Sequence, residues 1–353
     1  MTCSRIFVVL LLLTSLVCIS SCGGGDTSLE SNGALPTCGL TNNSLPVALA
    51  GWTQVSANLP WGQRDAGATV SHQGNIWLLG GWTYDSNGAR VLDDAWRSSD
   101  GLTWSRIDTP WDHGMYPMAV SFGCRIFYMG GMKDSRLPSE HISNEIWSSV
   151  DGETWKREIA AAEWEPRIGA TLTEHNGALW IMGGKIRNSA EPDVFRNDVW
   201  KSSDGMHWQK VTDHAPWPAR AFHCTVSHQG KLWMLGGGDW DSLVTRRDVW
   251  SSDDGINWIQ HKDAPWEPRI WQACASFSNR IWVMGGRLLD PIRDSKEVWS
   301  TVDGEVWSIR SDFISPSERH AAYSTVHENR IWIIGGSGHE YMPSDVWQFK
   351  PEN

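Results

Sequence analysis

Short apolar runs recur along the chain, each closed by a pair of glycines. Ile76-Trp77-Leu78-Leu79 leads into Gly80-Gly81, Leu179-Trp180-Ile181-Met182 into Gly183-Gly184, and Ile281-Trp282-Val283-Met284 into Gly285-Gly286. Equivalent doublets stand at Gly130-Gly131, Gly236-Gly237 and Gly335-Gly336. Neighbouring doublets are 49 to 53 residues apart, and a fixed period of that length signals a repeat architecture. The runs are too short for buried helices and carry no 3.6-residue period, so they predict strands.

Each repeat contains four such segments. A mixed first strand, Ala66 to His72 in the first repeat, precedes the apolar run. Between them lies a tight turn with Gly74, Cys124, Gly177, Gly230, Asn279 or Asn329 at one position; Gly and Asn tolerate the positive φ of hairpin turns. After a variable loop comes a third strand carrying Asp94-Ala95-Trp96, Asp198-Val199-Trp200, Asp248-Val249-Trp250 or Asp345-Val346-Trp347. An Asp-Gly hairpin such as Ser203-Asp204-Gly205-Met206-His207-Trp208 leads into the fourth strand. Four strands per repeat predict propeller blades. The sixth repeat ends at Trp347-Gln348-Phe349 without an Asp-Gly-x-x-Trp segment, while Trp52 precedes Pro60-Trp61 as Trp208 precedes Pro216-Trp217. The segment near Gly51 to Val55 is therefore expected to supply the last outer strand and close the ring. The fold class that follows is all-β: one six-bladed β-propeller of four-stranded blades, spanning residues 51–353.

Composition sharpens this picture. The chain holds 25 tryptophans in 353 residues, and the repeat absorbs all but Trp82, Trp240 and Trp271. Large flat side chains suit the space between twisted blades. A net charge of −11 argues against a general nucleic-acid-binding surface, which needs a Lys/Arg excess. Ahead of the repeats, Arg5 precedes an apolar run from Ile6 to Val17, too short to span a bilayer. Ile19-Ser20-Ser21-Cys22-Gly23 follows, so residues 1–21 read as an export signal. Residues 22–50, rich in Gly, Ser, Asn and Pro, read as a flexible tether.

The sequence around Cys22 resembles the lipobox of bacterial lipoproteins. That resemblance implies lipidation of Cys22, a membrane anchor and an outer-membrane or cell-surface location, with a secreted or periplasmic protein as the alternative. The doublets, the Asp/Asn-x-Trp strands and the Arg before each first strand together resemble the Kelch repeat, as found in the propeller of galactose oxidase. That Arg stands at Arg64, Arg167, Arg220, Arg269 and Arg319; the second repeat has His113-Gly114-Met115-Tyr116 there instead. Ser251-Ser252-Asp253-Asp254-Gly255-Ile256-Asn257-Trp258 also resembles the Asp-box of sialidase propellers, a structural hairpin. Nothing convincingly supplies the copper ligands of galactose oxidase. No metal cluster, cofactor motif or nucleophile elbow is found, so neither metal nor cofactor is expected.

Ligands of Kelch propellers usually bind on the face formed by the blade-to-blade loops and the loops after the doublets. Trp82, Tyr84, Trp240, Asp241 and Trp271 fall there, with Lys185, Arg187, Arg287 and Tyr341. Aromatic faces beside Arg and Asp suit sugar rings and their hydroxyls. The five repeat arginines are expected either to ring the mouth for an acidic ligand or to pair with carboxylates of their own blades. His72, His175, His228 and His327 share one repeat position and read as structural; His223 and His320 are the candidate acid–base groups. Cys38 and Cys124 are one candidate disulfide, and Cys224 and Cys274 are another or else buried thiols. Two functions follow as expectations, beside a third in which the chain is a structural envelope protein with no small ligand. One is a monomeric envelope binding module for a glycan or a protein. The other is a sugar-processing enzyme similar to the Kelch-propeller mutarotases that act on sialic acid.

Overall fold

The computed structural model describes residues 51–57, 59–85, 88–133, 141–187, 192–310, 317–338 and 342–350. Six four-stranded antiparallel sheets are arranged as blades, each a simple meander. Blade one, for example, runs through Ala68–His72, Asn75–Asp85, Gly88–Ser98 and Ser105–Ile107. The ring closes as expected: Gly51–Ala57 forms the outer strand of blade six and pairs with Asp345–Lys350, Trp52 lying opposite Phe349.

Tryptophan locks the blades together in pairs. The glycine of each Asp-Gly turn lies flat against the second-strand aromatic of the preceding blade. A Cβ built on Gly255 (φ +74°) would come within 2.3 Å of the Trp180 ring, and Gly152 stands in the same relation to Trp77. The turn aspartate caps the hairpin: Asp254 Oδ1 accepts from the Ile256 and Asn257 amides at 2.9 and 2.8 Å. Those bonds, led by the one from Asn257, hold its carboxyl down at about 2. The shared histidines bridge blades. His72, His175, His228 and His327 each place Nδ1 within 3.0 Å of a serine hydroxyl on the next blade.

The five repeat arginines belong to the scaffold. Arg220 is fully buried, donates to Gly236 O at 2.8 Å, and grips both oxygens of Asp248 at 2.6 Å. Asp248 also accepts from Trp250 Nε1 at 2.7 Å, which explains the Asp-x-Trp motif. Arg64, Arg167 and Arg319 make the same clasp with Asp94, Asp198 and Asp345, and Arg269 uses Glu297 and Ser295. Burial pushes the Asp248 carboxyl up, and the Arg220 contacts more than reverse it, leaving the group below its usual range. Arg64, Arg167, Arg220, Arg269 and Arg319 are therefore not ligand-facing. Each guanidinium is spent on its own blade, the second of the two expectations. Blade two makes do without the arginine. Tyr128 replaces the aliphatic residue of the other second strands, and its hydroxyl donates to the His113 carbonyl.

Cys224 and Cys274, on the inner strands of blades four and five, form a disulfide with Cα atoms 6.2 Å apart. They line a cavity of about 270 Å³ in the central channel, with Thr69, Thr171 and Ser324. Cys22, Cys38 and Tyr341 lie outside the described residues.

Candidate functional site

The residue two places after each arginine closes the channel at the loop face. Ala66, Tyr116, Gly169, Phe222, Trp271 and Ala321 hold this position in blades one to six, and all six have φ between +49° and +65°. Their backbones form a girdle. Tyr116 N donates to Ala66 O, Ala66 N to Ala321 O, Ala321 N to Trp271 O, Trp271 N to Phe222 O and Phe222 N to Gly169 O. A left-handed conformation is costly for bulky residues, and such strain concentrates at functional sites. The floor is uneven. Tyr116, Phe222 and Trp271 form an aromatic half, with ring centroids 5.2 and 4.9 Å apart in sequence. Ala66 and Ala321, on the adjacent blades one and six, present only a methyl group at the same position.

The flanking position, one place after the arginine, is apolar in four blades: Met115, Ile168, Ala221 and Ile270. In blades one and six it is Asp65 and His320. Both are more than nine-tenths buried, at 7 and 8% exposure. Burial pushes the Asp65 carboxyl up to about 7, opposed by the positive charge of Arg287. His320 Nδ1 lies 2.8 Å from Oδ1 of Asp294, whose side chain is fully buried. Two ionisable groups in neighbouring blades, where the repeat otherwise takes apolar residues, mark this sector of the mouth as a site.

Backbone bridges set the surrounding side chains. Asp65 pairs with Trp82, Ile270 with Arg287 and His320 with Ser337, each the residue directly after a doublet. Arg287 is framed by aromatics. Its guanidinium lies 5.4 Å from the Trp240 ring centroid, and Nη1 is 3.3 Å from His320 and 3.6 Å from Asp294. Trp271 packs on Trp240 and on His320, with centroids 5.3 Å away in each case. Thus Trp82, Trp240, Trp271 and His320 converge at the mouth as expected from sequence, while Asp65 and Asp294 are additions. Aligning the position after each arginine would have revealed Asp65. Asp294, paired with Arg287 at the end of the strand Ile292–Asp294, would have been revealed by counting back three places from Glu297, where the other blades carry Val91, Ile142, Phe195, Thr245 and Met342.

Other expectations fall elsewhere. His223 lies between blades three and four with Nε2 3.1 Å from Thr171 Oγ1. Burial, reinforced by Arg220, pushes it down to about 3, so it stays neutral and is no acid–base group at the mouth. Asp241 is engaged by the Lys185 ammonium, which also holds Asp193 at 2.8 Å; this ion-paired cluster sits on blades three and four. Tyr84 lies farther out, on the arm of blade one. Among the described residues, no group of three His, Cys, Asp or Glu side chains could hold a metal ion.

No protein-family model matches the chain. A segment of 137 residues is 27% identical to beta-scruin of Limulus polyphemus, covering 38% of this chain and 14% of that protein. A segment of 80 residues is 36% identical to the N-acetylneuraminate epimerase of Escherichia coli K12, covering 22% of each. The chain thus spans less than a quarter of the length of these curated relatives. The solved structure of YjhT superimposes with a TM-score of 0.65 over 80% of this chain and 94% of that one, at 13% identity. The fold is a six-bladed Kelch-type β-propeller.

Proposed function

We propose that the mouth over blades four, five, six and one binds a sugar, with a carboxylated sugar the first class to test. The observation that supports this most is Arg287, a cation held between Trp240 and His320 beside Trp271. Aromatic faces serve the apolar faces of a pyranose, and the Arg287, His320 and Asp65 polar groups serve its hydroxyls and carboxylate. The name of one relative, N-acetylneuraminate epimerase, supports the choice of acidic sugar. Titration calorimetry of the protein with N-acetylneuraminate tests the reading. Binding in the parent and its loss in Trp271→Ala and Arg287→Ala is the expected result; no heat with any acidic or neutral sugar overturns it.

Asp65 and His320 favour a second reading, that the same site takes the proton of the anomeric hydroxyl and gives one to the ring oxygen, so that the ring C–O bond opens and re-closes on the other face and sugar anomers interconvert. A buried carboxyl held at about 7 on blade one and a carboxylate-paired imidazole on blade six, both facing Arg287, would supply an acid and a base within one mouth. Proton NMR of freshly dissolved N-acetylneuraminate separates the two readings. Equilibration accelerated by the parent and not by Asp65→Asn or His320→Gln marks an enzyme; binding without acceleration marks a binding module.

We further propose export and a lipid anchor on Cys22, supported by Arg5, the apolar run Ile6 to Val17 and Ile19-Ser20-Ser21-Cys22. Mass spectrometry of the mature N-terminus tests it: an acylated Cys22 is expected, and an unmodified Met1 or a start elsewhere overturns it.

A further inference from the structure

We infer that the arm of blade one carries a second sugar subsite, on Tyr84, so that the ligand is an oligosaccharide with one residue in the mouth and the next on the arm. The inference rests on the mouth reading above and adds the size and polarity of the ligand.

In blade three the second strand stops at Met182, just before its doublet. In blade one it continues to Asp85, paired with the strand Gly88–Ser98 through Trp82–Val91, Thr83–Arg90 and Tyr84–Ala89. The pair projects from the mouth as a two-stranded arm. Residues two apart on a strand share a face, so Trp82 and Tyr84 lie on one side with Val91 and Ala89 opposite them. The alternate face carries Thr83 and Arg90, and Thr83 is buried, which fixes the orientation of the arm.

Tyr84 is 64% exposed. Among the described residues it is the single exposed aromatic, in a chain whose described tryptophans are all buried or half-buried. Its ring is inclined by 21° to that of Trp82, with centroids 6.5 Å apart. Trp82 is itself bridged to Asp65 at the mouth by amides at 2.7 and 3.0 Å. The two rings thus form a strip that starts at the mouth and leads outward. Ala89 is too small to cover Tyr84. This face of the arm carries no charge, in contrast to the Asp65, Arg287, His320 and Asp294 cluster. Such a strip fits the apolar face of a neutral pyranose linked to the sugar held in the mouth.

The test is titration calorimetry of the full chain with N-acetylneuraminate and with 3′-sialyllactose, whose second residue is neutral. Parent, Tyr84→Ala and Tyr84→Phe are compared; an exposed position tolerates these changes. The expected result is about tenfold tighter binding of sialyllactose than of N-acetylneuraminate by the parent. Tyr84→Ala removes that gain and leaves N-acetylneuraminate binding unchanged, and Tyr84→Phe keeps most of it. No gain in the parent, a gain that persists in Tyr84→Ala, or an equal loss for both ligands overturns the subsite while leaving the mouth reading intact. Failure of the parent to bind either ligand overturns both.

Discussion

His320 and Asp294 meet at 2.8 Å beneath Arg287, with the Asp294 side chain shut off from solvent. One buried carboxylate thus faces both the imidazole and the guanidinium, which lies 3.6 Å away. Asp294→Asn keeps the shape and removes the charge both groups face. It is expected to cost about 1–3 kcal/mol of stability and at least fivefold in sugar affinity. Thermal melts and sugar titrations check this; full affinity in a folded Asp294→Asn protein separates Asp294 from the ligand frame.

Asp65 gives the mouth a pH dependence of definite sign. Its carboxyl is held near 7 in the folded protein, against about 3.9 in an unfolded chain. The stabilising contribution is therefore complete below pH 4, declines as pH rises, and is gone once pH passes 7. Asp65→Asn has no such decline. Its advantage in unfolding free energy over the parent is expected to be absent at pH 4, to grow to about 4 kcal/mol by pH 7, and to stay level above that, as denaturant titrations at each pH would measure. A pH-independent difference would show that Asp65 is not the group responsible.

His223 and His327 act in the opposite sense. Burial holds them down at about 3 and about 4. Their neutral forms favour the fold fully above pH 6.5, and that contribution is lost as pH falls toward those values. Acid unfolding is expected to set in below pH 6, and His223→Gln should move the midpoint to lower pH. An unmoved midpoint would assign acid sensitivity to other groups.

The clasp predicts a contrast between the two basic side chains. Arg220→Ala strands the Asp248 carboxylate and the Gly236 carbonyl and is expected to cost about 3–5 kcal/mol. Arg220→Lys keeps the charge but cannot reproduce the fork on both carboxylate oxygens, so it should recover only part of the loss. Denaturant titrations rank the three proteins, and equal stability of parent and Arg220→Lys would refute the geometric argument.

Reduction of Cys224–Cys274 opens a tie between blades four and five across 50 residues of sequence. A loss of about 2–4 kcal/mol is expected. Melts with and without dithiothreitol measure it, and Cys224→Ala/Cys274→Ala should be indifferent to the reductant.

Much of this architecture can be read from the chain because each feature recurs. The Gly183-Gly184 doublet, the Asp198-Val199-Trp200 strand and the Asp204-Gly205 turn each announce a strand end, and six copies leave little freedom. The recurrence of Arg167 leaves it open between scaffold and ligand, and only the clasp on Asp198 decides for the scaffold. The site is less legible because it consists of departures from the repeat. Asp65 and His320 are single changes at a position that Met115, Ile168, Ala221 and Ile270 keep apolar. Asp294 ends the short strand Ile292–Asp294 and, counted back three places from Glu297, stands where the other blades have Val91, Ile142, Phe195, Thr245 and Met342, so it too is a single charged departure, legible only from the motif that follows it. The positive φ of Phe222 and Trp271 is invisible in their side-chain types, since bulky residues ordinarily avoid it.

The pairing of Gly51 with Lys350 gives folding an unusual calendar. The first strand of the propeller to be synthesised is the last to find its partner. Five blades can each assemble from neighbouring residues as they appear, by short-range contacts that close quickly. The sixth must wait for Asp345–Lys350, and until then Gly51–Ala57 has no partner strand. A chain truncated before Asp345 would lose the partner of that waiting strand, so a single late pairing serves as the check that the whole ring has been made.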